Sequence, residues 1–324
     1  MRLLPISRYV QFLKYRAINI INGEAIFPFY ASFKITRRCT RRCPFCDCWK
    51  SKIPDLSTKE IYKIMDNLAS SSIMLLSFEG GDPLVRPDIL EILKYAEKKP
   101  YYFFFTTAGD LFGKHPKLKE IAKYPDYIHV SIDEGHGNLE YLDRLKEFQS
   151  YGPEITVQIV VTKNDLQNLE YKVKKIHDAG ARTVIMPAVD LDLNASVKFF
   201  PGTENFKKEI LRLKEKYPGT ITTPDGYLER FEKMHGCASD SIIVDADGSL
   251  FYPCRVKGKK PFNLLDGKLN DFLLSPEAEE YRQEMRNCTR QCGWYQYYST
   301  ESFVSFSESL KSYYPYLKDK IKKI

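Results

Sequence analysis

Between residues 30 and 200 the chain alternates short apolar runs with longer charged ones. Runs of β-branched, aromatic or aliphatic residues at 30–35, 73–78, 101–106, 127–132, 155–161 and 183–187 predict six strands. Helically spaced apolar positions within charged stretches predict helices over 58–69, 87–98, 116–123, 139–149 and 166–179. Gly180 is placed to stop the last of these before the sixth strand. A further helix is expected over 203–216. Strand–helix alternation of this kind implies a parallel sheet with helices outside. A closed eight-fold barrel typically needs about 250 residues, more than this segment supplies. The expected fold is α/β: a partial (β/α)6 TIM-like barrel, with functional groups at the C-terminal ends of its strands.

The flanks differ. In residues 1–29 Leu3, Ile6, Val10, Leu13, Ile18 and Ile21 recur at helical spacing, with Arg2, Arg8, Lys14 and Arg16 between them. Two readings stand: a helix packed on the barrel, or a basic amphipathic helix lying on a membrane surface through residues 1–21. After residue 217 two short apolar runs, 241–245 and 249–252, flank Ala246-Asp247-Gly248, a hairpin turn signal. The polar, aromatic tail ends in alternating lysines and reads as a solvated terminal helix. The expected organisation is an extension (1–29), a barrel core (30–216), a small hairpin-and-helix domain (217–300) and a tail (301–324).

Composition narrows the class. The 324 residues are 43% hydrophobic and 14% aromatic, as in a globular protein. No apolar run approaches the ~20 residues of a membrane span, and the start lacks a signal peptide's uninterrupted apolar core. The net charge of +7 permits contact with an acidic reductase, an anionic membrane or nucleic acid and establishes none of them. Three of the eight cysteines crowd one loop, which points to metal ligation in a reducing cytoplasm rather than a disulfide framework.

That loop is Cys39-Thr40-Arg41-Arg42-Cys43-Pro44-Phe45-Cys46. Clustered thiolates suit iron–sulfur clusters, zinc or Cu(I). Three are one short of the four a cubane cluster takes, so one iron would stay open. The C-x-x-x-C-x-aromatic-C pattern resembles the signature of the radical S-adenosylmethionine (SAM) enzymes. The resemblance implies that Cys39, Cys43 and Cys46 hold a [4Fe-4S] cluster whose open iron is chelated by SAM. It further implies reductive cleavage of SAM to a 5′-deoxyadenosyl radical, which takes a hydrogen atom from substrate. A zinc loop or structural thiols are the alternatives.

Later motifs fall at strand ends. Glu79-Gly80-Gly81-Asp82-Pro83 follows the second strand and resembles the family's Gly-Gly-Glu-Pro motif, with Asp82 at the acidic position. The resemblance makes Gly80, Gly81 and Asp82 a site for the SAM amino group. Thr107 follows the third strand in Thr106-Thr107-Ala108-Gly109, which resembles the family's Thr-Asn-Gly turn and makes it a candidate SAM contact. Ser131 and Asp133 end the fourth and share a face by alternation, suiting the ribose or methionyl end of SAM. Arg144, on the next helix, is the candidate partner of the SAM carboxylate, or else a surface arginine. Gln158 and Asn164 on and after the fifth strand, and Met186-Pro187-Ala188 after the sixth, are positional candidates.

Cys237, Cys254, Cys288 and Cys292 surround the hairpin and resemble the Twitch relative of the SPASM extension, which implies an auxiliary [4Fe-4S] cluster. Zinc, which four thiolates also suit, is the runner-up. Cys48 reads as a packed thiol or a reactive group. Arg37, Arg38, Arg41 and Arg42 read as solvated charges or as a dock for an acidic electron donor such as flavodoxin or ferredoxin. No nucleic acid is expected as partner, and no cobalamin motif is found. For substrate, a lipid or isoprenoid at a membrane surface comes first, then a peptide or protein, with small-molecule dehydrogenation or cyclisation also open. The non-enzyme alternative is an iron–sulfur or zinc protein that binds RNA.

Overall fold

A computed structural model describes residues 2–189, 199–231, 236, 240–290 and 292–299. Residues 301–324, the expected tail, lie outside these. The chain opens with α1 (Ile6–Asn22), then alternates β1 (Tyr30–Thr36), α2 (Thr58–Ser70), β2 (Leu75–Gly80), α3 (Ile89–Glu97) and β3 (Tyr102–Thr107). There follow α4 (Leu118–Ile121), β4 (Tyr127–Ser131), α5 (Leu145–Gln149), β5 (Glu154–Val161), α6 (Leu169–Asp178), β6 (Arg182–Pro187) and α7 (Thr203–Lys216). The remainder is α8 (Asp225–Phe231), β7 (Ser241–Val244), β8 (Ser249–Phe251), β9 (Phe262–Asn263), α9 (Leu269–Leu273), α10 (Pro276–Arg286) and α11 (Tyr295–Ser299).

β1 to β6 are parallel and pair in sequence order, as a partial barrel requires. The hairpin does not form a sheet of its own. β7 pairs in parallel with the outer edge of β1, from Tyr30↔Ser241 to Phe33↔Val244, giving one sheet ordered β6-β5-β4-β3-β2-β1-β7-β8-β9. The cause is the unclosed barrel: β1 would otherwise leave backbone donors and acceptors unpaired. β1 is thereby an interior strand of the sheet, and all its residues after Tyr30 are buried.

Helix quality follows capping. α2 begins in a capping box, with Glu60 N–H donating to Ser57 Oγ at 3.3 Å and Ser57 N–H donating to Glu60 at 2.8 Å. The helix expected over 139–149 instead starts as a 3-10 segment, Leu139–Arg144, without a side-chain cap. Asn138, placed to cap it, is engaged elsewhere: its amide donates to the carbonyls of Ala108 (2.8 Å) and Ser131 (2.7 Å), tying the ends of β3 and β4 together.

α1 lies across the N-terminal ends of the strands. Buried Arg8 donates to the carbonyls of Ser71 (2.8 Å) and Ile73, Asn19 exchanges two hydrogen bonds with the Phe27 backbone, and Tyr9 meets Tyr102. Among the described residues, no helix is long and apolar enough to cross a membrane.

Candidate active site

β1 ends on Thr36, and the cysteine loop begins three residues later. Cys43 is buried, Cys39 and Cys46 partly so. The loop is folded on itself by Cys46 N–H donating to Cys43 O (3.2 Å) and Trp49 Nε1–H to the same carbonyl (3.3 Å). All three thiols face a cavity of about 170 Å³, shared with Gly80, Gly81, Thr107, Ser131, His136 and Gln158 from the ends of β2 to β5. Burial pushes the Cys39 thiol up to about 11, so a bound cation must supply the charge that favours its thiolate.

The donor set fits a cluster better than a single ion. Among the described residues, the only group of three or more ligand atoms all within 4.8 Å of one another is Cys46, Asp47 and Cys48. Asp47 there is already engaged by Arg255 and lies 3.9 Å from Arg37. Cys39, Cys43 and Cys46 are not all within that distance of one another, and thiolates on separate irons need not be. Cys48 is buried beside Lys34, whose Nζ lies 3.9 Å from its sulfur.

The paired glycines bring the second strand against the root of the cysteine loop. A Cβ on Gly80 would lie 1.9 Å from Thr36 O, and one on Gly81 1.9 Å from Arg38 O. Gly81 N–H donates to Thr36 O and Asp82 N–H to Arg38 O, each at 2.9 Å. Asp82 does not line the cavity. It is fully buried, and its carboxylate accepts from Leu84 N–H (3.0 Å), Ala108 N–H (3.1 Å) and Thr107 Oγ1 (2.8 Å). Its role in this geometry is to brace the β2 and β3 loops, and Thr107 is bound to it.

Ser131 lines the cavity, whereas Asp133 does not. Asp133 accepts from the His136 backbone and lies 2.8 Å from its ring Nδ1, and it also accepts from Val160 N–H (3.0 Å). It therefore positions His136, which lines the cavity. Burial opposes charge on His136, but Asp133 and Cys43 outweigh it and raise the imidazole to about 10. Arg144 is not brought to the site: it pairs with Glu147 at 2.8 Å and lies over the Tyr141 and Phe148 rings. Three of the loop arginines are also in ion pairs, Arg37 with Asp245, Arg38 with Asp55 and Arg41 with Asp110, which reduces the charge left to attract a donor protein. Sequence reasoning missed His136 and Glu79. The Asp-x-x-His spacing after β4, and a carboxylate directly before the glycine pair, were the available signals.

Below this cavity the barrel lumen encloses about 650 Å³, within the range of small-ligand sites. Phe45, Cys46, Glu79, Gly80 and Gln158 line both spaces. One wall stacks Tyr30, Phe104 and Tyr127; Trp294, Tyr295 and Gln296 form part of another, and Met186 and Pro187 also face in. Asn164 and Ala188 are not among the lining residues. Near α10, buried Cys254 neighbours Cys288 and Cys292, with burial raising the thiols of Cys254 and Cys292, the latter to about 11. Cys237 lies outside the described residues.

A partial parallel barrel thus carries three cysteines in the loop after its first strand, over a glycine-paired second strand. Residues 33–160 match the Radical SAM superfamily model. The chain is 22% identical over 249 residues to the PqqA peptide cyclase of Ruegeria pomeroyi, a match covering 68% of this chain and 66% of that protein. The Fe-coproporphyrin III synthase of Methanosarcina barkeri is 34% identical over 106 residues, 31% of this chain and 26% of that one. The crystal structure of Streptococcus suis SuiB bound to precursor peptide SuiA shares the fold, with a TM-score of 0.67 at 15% identity, covering 82% of this chain and 69% of that one.

One substitution probes the join between the two spaces. A Cβ on Gly135 would lie 2.0 Å from Cε1 of Phe45, whose ring sits 5.7 Å from that of His136. Because a ring can swing where backbone cannot, Gly135→Ala should destabilise by only about 1–3 kcal/mol. The displaced ring should nevertheless raise KM for SAM several-fold. Thermal melting and SAM titration of the turnover rate measure the two effects separately.

Proposed function

We propose that this chain is a radical SAM enzyme that modifies a peptide or protein. Cys39, Cys43 and Cys46 would hold a [4Fe-4S] cluster, with Gly80, Gly81 and Ser131 against SAM. When bound and reduced, that cluster supplies the cleavage of SAM that starts hydrogen-atom abstraction. The chain's own residues then position and shield: Phe45 and His136 wall the cavity, and the aromatic lumen holds the reacting side chain away from water. The volume of about 650 Å³ accommodates one or a few side chains, not a whole peptide, so the remaining peptide would lie outside. Cys254, Cys288, Cys292 and Cys237 would carry an auxiliary cluster, and a small acidic electron donor would deliver the electron.

The observation that carries the substrate class is the match to a peptide cyclase along 68% of this chain. The lipid reading loses ground on geometry, because the apolar N-terminal helix lies at the end of the barrel opposite the cysteines. The test is 5′-deoxyadenosine release by anaerobically reconstituted enzyme with SAM and dithionite, using Cys39→Ala as blank. Stimulation by the peptide fraction of the source cells is expected. Stimulation by lipid extract alone would overturn the peptide assignment, and release no greater than the blank would overturn the enzyme reading.

A further inference from the structure

α1 is built the reverse of an ordinary surface helix. Its inward side is largely polar or aromatic: Arg8 and Asn19 are buried, Tyr15 packs on Phe27 at 4.5 Å between ring centres, and Ile18 is the one aliphatic residue of the helix packed on the core. Its outward side is aliphatic. Ile6 is 82% exposed, Leu13 64% and Ile21 82%, with Val10 and Ile20 also exposed and Leu3 continuing the stripe. At 100° per residue Ile6, Val10, Leu13, Ile20 and Ile21 fall on one side of the helix. Nine large hydrophobic residues are exposed among the described residues, and six of them belong to this one segment. Scattered exposed side chains need no explanation; a contiguous stripe marks an interaction surface.

The inward contacts keep the stripe outward. Turning it onto the barrel would strip Arg8 of its two carbonyl partners and Asn19 of its bonds to Phe27, leaving buried polar groups unpaired.

Charge indicates what covers the stripe. Residues 2–22 contain Arg2, Arg8, Lys14 and Arg16 and no carboxylate side chain. Lys14 is exposed on the flank of the stripe. Exposed Lys98 and Lys123 lie in the two loops into which Arg2 bonds, through Glu97 O, Tyr101 O and Asp126. Arg8 is buried and Arg2 and Arg16 face Asp126 and Asp240, so the outward charge is that of lysines: an aliphatic face flanked by Lys14, with Lys98 and Lys123 in adjoining loops, matches the boundary between acyl chains and anionic headgroups.

We propose that α1 docks the protein onto an anionic membrane surface, with the strand N-termini towards the lipid and the cysteine loop turned away from it. The proposal is independent of the substrate class. The test is co-sedimentation of the full chain with vesicles of equal parts phosphatidylglycerol and phosphatidylcholine, and with phosphatidylcholine alone. Binding to the first and little to the second is expected. Val10→Glu with Leu13→Glu, both at exposed positions, should lower the bound fraction at least roughly tenfold with an unchanged Tm. Wild-type protein left in the supernatant with both vesicles overturns the proposal, as does unaltered binding by the double variant. If wild-type protein ignores vesicles while the substitutions convert a dimer to a monomer by light scattering, the occupant is a second copy of the chain and the proposal fails.

Discussion

Gly81→Ala is expected to leave the protein unable to retain an iron–sulfur cluster. The added Cβ would stand 1.9 Å from Arg38 O and 2.4 Å from Arg38 C. Both are backbone atoms, so no side-chain rotation relieves the overlap. The loop root must withdraw, which breaks the 2.9 Å bonds from Gly81 N–H to Thr36 O and from Asp82 N–H to Arg38 O. Cys39 is the next residue along. Overpacking alone destabilises by about 1–3 kcal/mol, and each lost backbone bond adds about 1 kcal/mol. Iron and sulfide content after anaerobic reconstitution, read beside Tm, checks the expectation. Full cluster content with a wild-type Tm would show that the loop root tolerates withdrawal.

Arg37→Met should be nearly as damaging, through charge instead of volume. Arg37 donates from Nε and Nη2 to the two carboxylate oxygens of Asp245 at 2.7 and 2.5 Å, and both side chains are buried. Removing one partner of a buried pair typically destabilises by about 3–5 kcal/mol. Burial opposes ionisation of Asp245, but Arg37 and Lys260 prevail and hold its carboxyl well below the usual range. A lowered folded pKa contributes stability that is fully present above the unfolded value, about 3.9, and is lost as pH falls through the folded one. The gap between wild type and variant should therefore be widest at neutral pH and narrow progressively below about pH 4. Denaturant titrations at pH 7 and in the acid limb measure it. A gap that persists undiminished in acid would mean the arginine acts by packing alone.

Legibility in the sequence follows the range of the interactions. Each of β1 to β6 starts within two residues of its expected position, because a buried parallel strand is a continuous apolar run whatever surrounds it. Helix 139–149 reads correctly in hydrophobic period yet begins as 3-10, because Asn138 bonds to loops rather than capping it; that competition is tertiary. The joining of β7 to β1 was hidden for the same reason, since hydrophobic pattern does not name a strand's partner. In the site, Cys39, Cys43, Cys46 and Ser131 line the cavity. Asp82 and Asp133 share the region but face inward to backbone and histidine partners, and alternation alone does not separate a carboxylate that meets a ligand from one that meets the protein. The polarity of α1 was legible as periodicity while its orientation was not, because an inward-facing arginine needs carbonyls that only the folded barrel supplies.

The two-sided pairing of β1 sets an order of events during synthesis. The strand that leads into the cysteine loop gains one neighbour early, from β2, but its other neighbour comes late, and the Arg37–Asp245 pair joins positions 208 apart. Until β7 has left the ribosome, Arg37 has no counter-charge from that strand and one edge of β1 is bare. Contacts of such separation form slowly, since loop closure precedes any gain from them. The first forty-six residues contain all three loop thiols, yet their final geometry waits on residue 245. Metal loading is therefore expected only after β7 has been made, and a ribosome-stalled fragment ending before β7 would present thiols in a loop not yet fixed to receive iron.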